Sequence, residues 1–372
     1  MRILIAPDKF KGSLTAAEAA SAIEAGFRLV FPDLKAIRLP LADGGEGTSA
    51  LFHQALGGEL IETATTDALG RPITAEYTLL ADRHEAVIDM SAASGLSRLT
   101  PSERDPAHTS TRGTGTLVRD AVDRGARHVL VGLGGSATND AGAGFAAALG
   151  YRFLDAFGQG LDPVPSNFPA IDQIRPPSNP LDVRITALSD VTNPLLGPRG
   201  ATHVFGPQKG AHDLAVLETS VAALADIAAR DLGRDHRGTP GAGAAGGLGY
   251  GLLTFFDAEI RPGFDACTAL FDVQRHVAES DLVVTAEGRL DPTTADGKGP
   301  GGIAQLARAA GKPVIAFAGH LDHHDVLGKM FDVCIPITPH PMNLETAMAD
   351  AGILLSRAAE RAARLLALSR AV

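Results

Sequence analysis

Acids, cations and glycines crowd into a few short stretches of this 372-residue chain. APDKFKGSL offers Asp8, Lys9, Lys11 and Ser13, and LADGGEGT offers Asp43, Glu46 and Thr48 among three glycines. GLGGSATNDAGAG sets Gly134 and Gly135 ahead of Ser136, Thr138, Asn139 and Asp140. ALSDVTNPLLG puts Asp190 and Asn193 just past an apolar run, and FGPQKGA supplies Gln208 and Lys209. PGAGAAGGLGYG is a glycine run that includes Gly246 and Gly247, and TAEGRLD closes an apolar run with Glu287, Arg289 and Asp291. Glycine-rich turns at helix starts present backbone N–H groups to anions. Carboxylates beside them point to a divalent cation, because bare phosphate would be repelled. An N–H cradle, cation-binding acids, cationic clamps and an acid able to take a hydroxyl proton are what phosphoryl transfer requires.

Other chemistries compete for the same residues. Gly132, Gly134 and Ala137 fit the looser dinucleotide fingerprint, and Asp155 stands about where a ribose-binding acid would fall. An NAD-dependent hydroxy-acid oxidoreductase is therefore an alternative. Its weakness is that a pyrophosphate turn has no need of the polar residues crowded into 136–140. A P-loop signature, the protein-kinase H-R-D and D-F-G set and the G-x-S-x-G nucleophile elbow are all missing. GHLDHHD gathers His320, Asp322, His323, His324 and Asp325, but on no regular face, so a solvated loop is expected there rather than a metal site.

These loops need elements to hold them. Short apolar runs (RILIA, DLVVTA, KPVIAFAG, DVCIPIT) precede helical periods, a pattern of buried parallel strands alternating with helices. Thr15 and Glu18 form a capping box ahead of Ala19, Ile23 and Phe27 at helical spacing. Residues 60–90 alternate like an antiparallel or mixed sheet, and 157–180, dense in Pro and Gly, reads as a long ordered loop. The length favours two domains. We expect a doubly wound, Rossmann-like parallel sheet from residues 1–60 and 278–372, and an inserted mixed α/β domain from 61–277. The active site is expected in a cleft between them. A net charge of −10 without a basic cluster argues against nucleic-acid binding. The two cysteines, Cys267 and Cys334, form no C-x-x-C pair, and no long apolar run suggests a membrane span. A cytoplasmic protein is expected, as a monomer or homodimer.

Taken together and in order, IAPDKFKGSL, ADGGEGT, TSTRGTG, GLGGSATNDAGAG, SDVTNPLLG, FGPQKGA, GAGAAGGLG, TAEGRLD and GKGPGGIA resemble the bacterial glycerate kinases of the type I family. The resemblance implies two α/β domains and phosphorylation of D-glycerate by ATP with Mg²⁺, usually to 2-phosphoglycerate. The 3-phosphoglycerate product and a glycerate sensor without activity are its alternatives. Within it, Asp190 is the expected base, and Asp43 and Glu46 the metal acids. Lys11, Arg112 and Arg289 would take the glycerate carboxylate or the transferring phosphate, with Asp8, Ser13 and Asn193 beside the substrate. Gly134, Gly135, Ser136, Thr138, Asn139, Asp140, Lys209, Gly246 and Gly247 would meet the nucleotide phosphates. The chain departs from the family pattern at Ala286, where Gly is usual, at Thr293, where Gln is usual, at Ala141, and in AGHLDHH.

Overall fold

The computed structural model describes residues 1–41, 44–292, 294, 299–322 and 325–370. In chain order its strands begin with β1 (Arg2–Ile5), β2 (Lys35–Arg38), β3 (Glu59–Thr66), β4 (Pro72–Leu80) and β5 (Glu85–Asp89). They continue with β6 (His128–Gly132), β7 (Arg152–Leu154), β8 (Gln173–Arg175) and β9 (Arg184–Leu188). The remainder are β10 (Glu259–Arg261), β11 (Leu282–Leu290), β12 (Val314–Leu321) and β13 (Val333–Pro336).

The chain divides into two compact units, one of Met1–Ala42 with Phe264–Val372 and one of Asp43–Gly263. In the first, five strands pair in parallel in the order β13-β12-β11-β1-β2. Alternate residues of each strand feed opposite cores. Ile3, Ile5, Val284 and Phe317 pack with Ile23, Phe27 and Leu355 on one face. Leu4, Val283 and Ala316 pack with Val277, Ile303 and Phe331 on the other. Burial on both faces is why these runs are almost wholly apolar, as a doubly wound sheet requires. The helix Ala16–Arg28 starts at the expected box, with Thr15 and Glu18 each satisfying the other's backbone N–H.

The second unit holds a six-stranded mixed sheet, β10-β9-β6-β5-β4-β3. β3, β4 and β5 pair antiparallel, which accounts for the alternation in 60–90. β5, β6, β9 and β10 are parallel. One core joins Tyr77, Ile88, Leu117, Val131 and Phe145, and another joins Phe153, Phe168, Leu224, Tyr250 and Phe255. The segment 157–180 is less irregular than its composition suggests, since it contains a 3₁₀ turn, Pro165–Ala170, and β8, which pairs with β7.

The unit borders fall at 42/43 and 263/264, against 60/61 and 277/278 from the sequence pattern. Two packings explain the difference. The helix Thr48–Leu56 lies on β4 and β5, and Phe264, Val273 and Val277 join the core of Leu4 and Val283. Among the described residues, no helix is long and apolar enough to cross a membrane.

Candidate active site

In the second unit the carboxyl ends of β6 and β9 carry two of the loops that the sequence singles out, beside the end of β5, and ligands of parallel sheets bind at such ends. These loops pack backbone on backbone. Leu133 N–H donates to Leu188 O at 3.1 Å and Gly134 N–H to Gly44 O at 3.2 Å. A Cβ on Gly134 would lie 2.3 Å from Gly45 Cα, and one on Gly44 would lie 2.3 Å from Leu188 O. Asp89, at the end of β5, accepts from Gly47 N–H at 2.9 Å and Ser49 N–H at 3.1 Å. That carboxylate anchors the turn bearing Glu46, which is exposed. Glu46 Oε2 comes within 3.9 Å of the point where a Cβ on Gly135 would sit. Asp190 follows β9 by two residues and is half-buried.

The 133–142 loop turns most of its polar side chains inward. Gly135 is exposed and Gly134 partly so, whereas Thr138, Asn139 and Asp140 are each 0 % exposed. Asp140 accepts from Thr111 N–H (2.7 Å), Thr111 Oγ1 (2.8 Å), Gly144 N–H (3.1 Å) and Gly142 N–H (3.2 Å). Burial pushes its carboxyl pKa up, and these donors act against that shift. Lys209 is 1 % exposed, and its ammonium donates to Ser136 Oγ at 2.8 Å and Thr138 O at 2.6 Å. Gly246 and Gly247 are buried as well. A Cβ on Gly246 would lie 1.8 Å from Thr138 O, and one on Gly247 would lie 2.8 Å from Ala141 Cα. Both glycines, expected on phosphate, are occupied in seating one loop on another. Ala141 takes φ 50°, a left-handed conformation that costs a side-chain-bearing residue about 1–2 kcal/mol, which explains why Gly suits that position.

In the first unit, β1 lies between β2 and β11, where the strand order reverses. Open α/β sheets bind ligands at such a switch point, and the loop from Asp8 to Ser13 leaves β1 there. Asp8 is buried, its N–H donates to Ala286 O at 2.8 Å, and its Oδ1 accepts from Lys9 N–H at 2.6 Å. Lys11 is exposed. Ser13 Oγ donates to Met348 O at 2.5 Å, so this hydroxyl ties the loop to the fold.

Several other expected residues have structural partners. Arg112 opens the helix Arg112–Asp123 and pairs with Asp162 at 2.8 Å. Asn193 Nδ2 donates to Arg199 O at 2.7 Å and closes its own loop. Glu287 and Arg289, read as a loop after a strand, lie inside β11, which runs on to Leu290 beside β12. Arg289 pairs with Asp291 (3.0 Å) and Asp322 (3.1 Å), and Asp322 also pairs with His320 (2.8 Å). His320 is thus a β12 residue rather than part of a solvated loop. Ala286, in the middle of β11, needs no glycine. Asp43, Thr293, His323 and His324 lie outside the described residues. Asp89 is absent from the expected set, although it ends the apolar run EAVID, the same strand-end pattern that marks Asp190.

The fingerprint reading fails on geometry. A dinucleotide turn opens directly into its helix, but here ten residues separate β6 from the helix Ala143–Ala148. Asp155 Oδ1 accepts from Phe157 and Gln159 N–H in a local turn after β7. Among the described residues, no group of three or more His, Cys, Asp or Glu forms a metal cage.

The chain also has close relatives along its whole length. A family model described as the glycerate kinase family matches residues 3–367. A glycerate kinase of Bacillus subtilis (strain 168) is 44% identical, covering 100% of this chain and 99% of that protein. A glycerate 2-kinase of Escherichia coli (strain K12) is 41% identical over 86% of each. The crystal structure of a protein assigned as glycerate kinase 2 from Salmonella typhimurium LT2 superposes with a TM-score of 0.82 at 40% identity, covering 100% of this chain and 99% of that one. A family match over nearly every residue, together with a relative 44% identical over the full length of this chain, makes it a member of the glycerate kinase family, an enzyme of the phosphotransferase class.

Proposed function

We propose that the protein transfers the γ-phosphoryl group of ATP in line to the 2-hydroxyl of D-glycerate, giving 2-phosphoglycerate. The observation that carries the reading is the packing of the turn bearing Glu46 against the Gly134–Ser136 turn at the carboxyl ends of β6 and β9, with Asp190 two residues past the end of β9. The 2-position is supported by the name of the E. coli relative. We place its action in the cytoplasm.

Asp190 accepts the hydroxyl proton of glycerate, a step that orients the attacking oxygen as well as activating it. The exposed Gly135 turn lends backbone N–H groups to the phosphates. Thr138, Asn139, Asp140, Gly246 and Gly247 serve that turn from behind rather than by contact. The residues present suit Mg²⁺, which binds through one or two carboxylates and the phosphates themselves; Glu46, exposed beside the Gly135 turn, and Asp43 would hold it. Mg²⁺ supplies neutralisation of phosphate charge. Lys11, with Asp8 at the base of its loop, and the guanidinium groups of Arg112 and Arg289 bind glycerate carboxylate or phosphate. The present ion pairs of the two arginines are exposed and therefore weak competitors. Ser13 and Asn193 shape their loops.

Purified protein incubated with MgATP and D-glycerate should give a new phosphomonoester in ³¹P NMR at the 2-position. No such signal sinks the reading, and a 3-phosphoglycerate signal overturns the regiochemistry alone. Asp190→Asn should lower kcat by about 10²–10⁴-fold with thermal unfolding unchanged.

A further inference from the structure

Lys209 stands apart from every other cation considered for the site, because it cannot reach a ligand from where it lies. Lysine is almost never fully buried unless it is paired, yet this one is 1 % exposed. A short 3₁₀ turn, Pro207–Lys209, delivers it, and Gly210 closes that turn at φ 83° against Arg104 O. Its ammonium spends two protons on the 133–142 loop, one on Ser136 Oγ and one on Thr138 O. We propose that Lys209 is a positioning residue for phosphoryl transfer, fixing the Ser136–Thr138 segment from inside the fold so that the Gly134–Ser136 turn is presented in its working shape.

This rests on the kinase reading and revises the role that sequence position suggests for Lys209, from phosphate ligand to internal strut. Two features favour the strut. Both hydrogen bonds run to loop oxygens on the inner side, while the exposed residue of the loop is Gly135, one position before Ser136. A buried cation is also a poor stabiliser, since an apolar side chain of similar size often serves stability as well or better. What Met at 209 would lack is the pair of donors that fixes two oxygens of one loop at once. Thr138 Oγ1 and Asn139 Oδ1 are buried without a hydrogen-bond partner; beside the two bonds from Lys209, Asn139 Nδ2 donates to Thr202 Oγ1 at 3.0 Å and Ala137 N–H to Ser94 O at 2.9 Å.

The test compares full-length wild type, Lys209→Met, Ser136→Ala and the double variant. Lys209→Met should fold, with kcat lowered about 10- to 100-fold and KM for ATP within about threefold of wild type, as expected when a reacting turn is misplaced. The double variant should be no slower than the slower single one, because both changes act on one contact. Amide hydrogen exchange should show lost protection in 134–138 of Lys209→Met and unchanged protection in β5 and β9. Wild-type kcat in Lys209→Met overturns the inference. So does unchanged exchange in 134–138, and so does a raised KM for ATP with additive effects in the double variant. Should Lys209→Met not fold, Lys209→Gln keeps an NH₂ group but on a stem too short to serve both loop oxygens, and the same exchange comparison decides. A wild type that transfers no phosphoryl group fails the kinase reading instead, and the exchange comparison still tests Lys209.

Discussion

Lys209 and Asp140 are both internal, and their surroundings treat their charges differently. Asp140 has four donors around it, whereas Lys209 has two neutral oxygens. Burial pushes the Lys209 pKa from 10.5 down to about 7, with the charge of Asp140 pulling back. The sign of the stability effect follows. Below pH 7 native and unfolded chains both carry the proton, and the cost of burial is fully present. Between about 7 and 10 the native state has lost a proton that the unfolded chain keeps, so stability rises with pH. Lys209→Met removes this dependence. The stability of wild type minus that of the variant, from urea unfolding, should grow by at most about 1.4 kcal/mol per pH unit between pH 7 and 9. A flat difference over that range would show that the site is not titrating. Residue types in this loop are legible in the sequence, because polar side chains crowded among glycines after an apolar run announce a working loop. Which way they point is not. Ser136 to Asp140 have no helical or strand period to define an inside, and only the packing of Thr111, Lys209 and Gly246 around them turns Thr138, Asn139 and Asp140 inward.

Glycines mark the same boundary of legibility one scale up, among the loops and turns. In the sequence, a glycine run beside a helix means that something approaches the backbone closely. It does not say whether the visitor is an anion or another stretch of backbone. At Gly246 it is backbone, since Ala245, Gly246 and Gly247 make three successive left-handed residues (φ 54°, 64° and 87°) before the regular helix and press on Thr138–Ala141. The nearest atoms to a Cβ at 246 are all backbone, Thr138 O at 1.8 Å and Asn139 Cα and Thr138 C at 2.7 Å, rather than the end of a flexible side chain. Gly246→Ala should therefore cost at least about 3 kcal/mol, from overpacking and left-handed strain together. Gly158 is the control, because it also has a positive φ (78°) but nothing lies within 4 Å of its would-be Cβ. Gly158→Ala carries only the strain, offset by lost unfolded-state freedom, and should cost about 1 kcal/mol or less. Equal losses in thermal unfolding for the two variants would show that Gly246 is not a packing glycine. Strand length was similarly hidden. β11 passes through Glu287, Gly288 and Arg289 beside β12, where Gly319, lacking a Cβ, lets Gly288 O come close, a cross-strand fact that an isolated run of polar residues does not reveal.

At the scale of the whole molecule, the alternation of apolar runs and helical periods was enough to read an α/β chain whose ends share one parallel sheet. The borders of the insertion were harder to read, because a helix carries no mark of which sheet it will cover. Thr48–Leu56 has an apolar stripe that would suit either sheet, and it covers β4 and β5. The consequence is testable. Residues 43–263 contain a complete six-stranded sheet and two apolar cores, and the members of those cores come from that segment alone. A segment of this size buries roughly 70% of its unfolded surface, enough to fold without help. Expressed alone, 43–263 should unfold cooperatively on heating, as followed by circular dichroism. On the proposed function it should transfer no phosphoryl group from MgATP to D-glycerate, because that proposal draws on Asp8, Lys11 and Arg289, which belong to the other unit. A broad, non-cooperative melt would mean that the second unit depends on the first for its fold. Turnover by the isolated segment would remove Asp8, Lys11 and Arg289 from the reaction and leave the chemistry entirely to the loops at the ends of β5, β6 and β9.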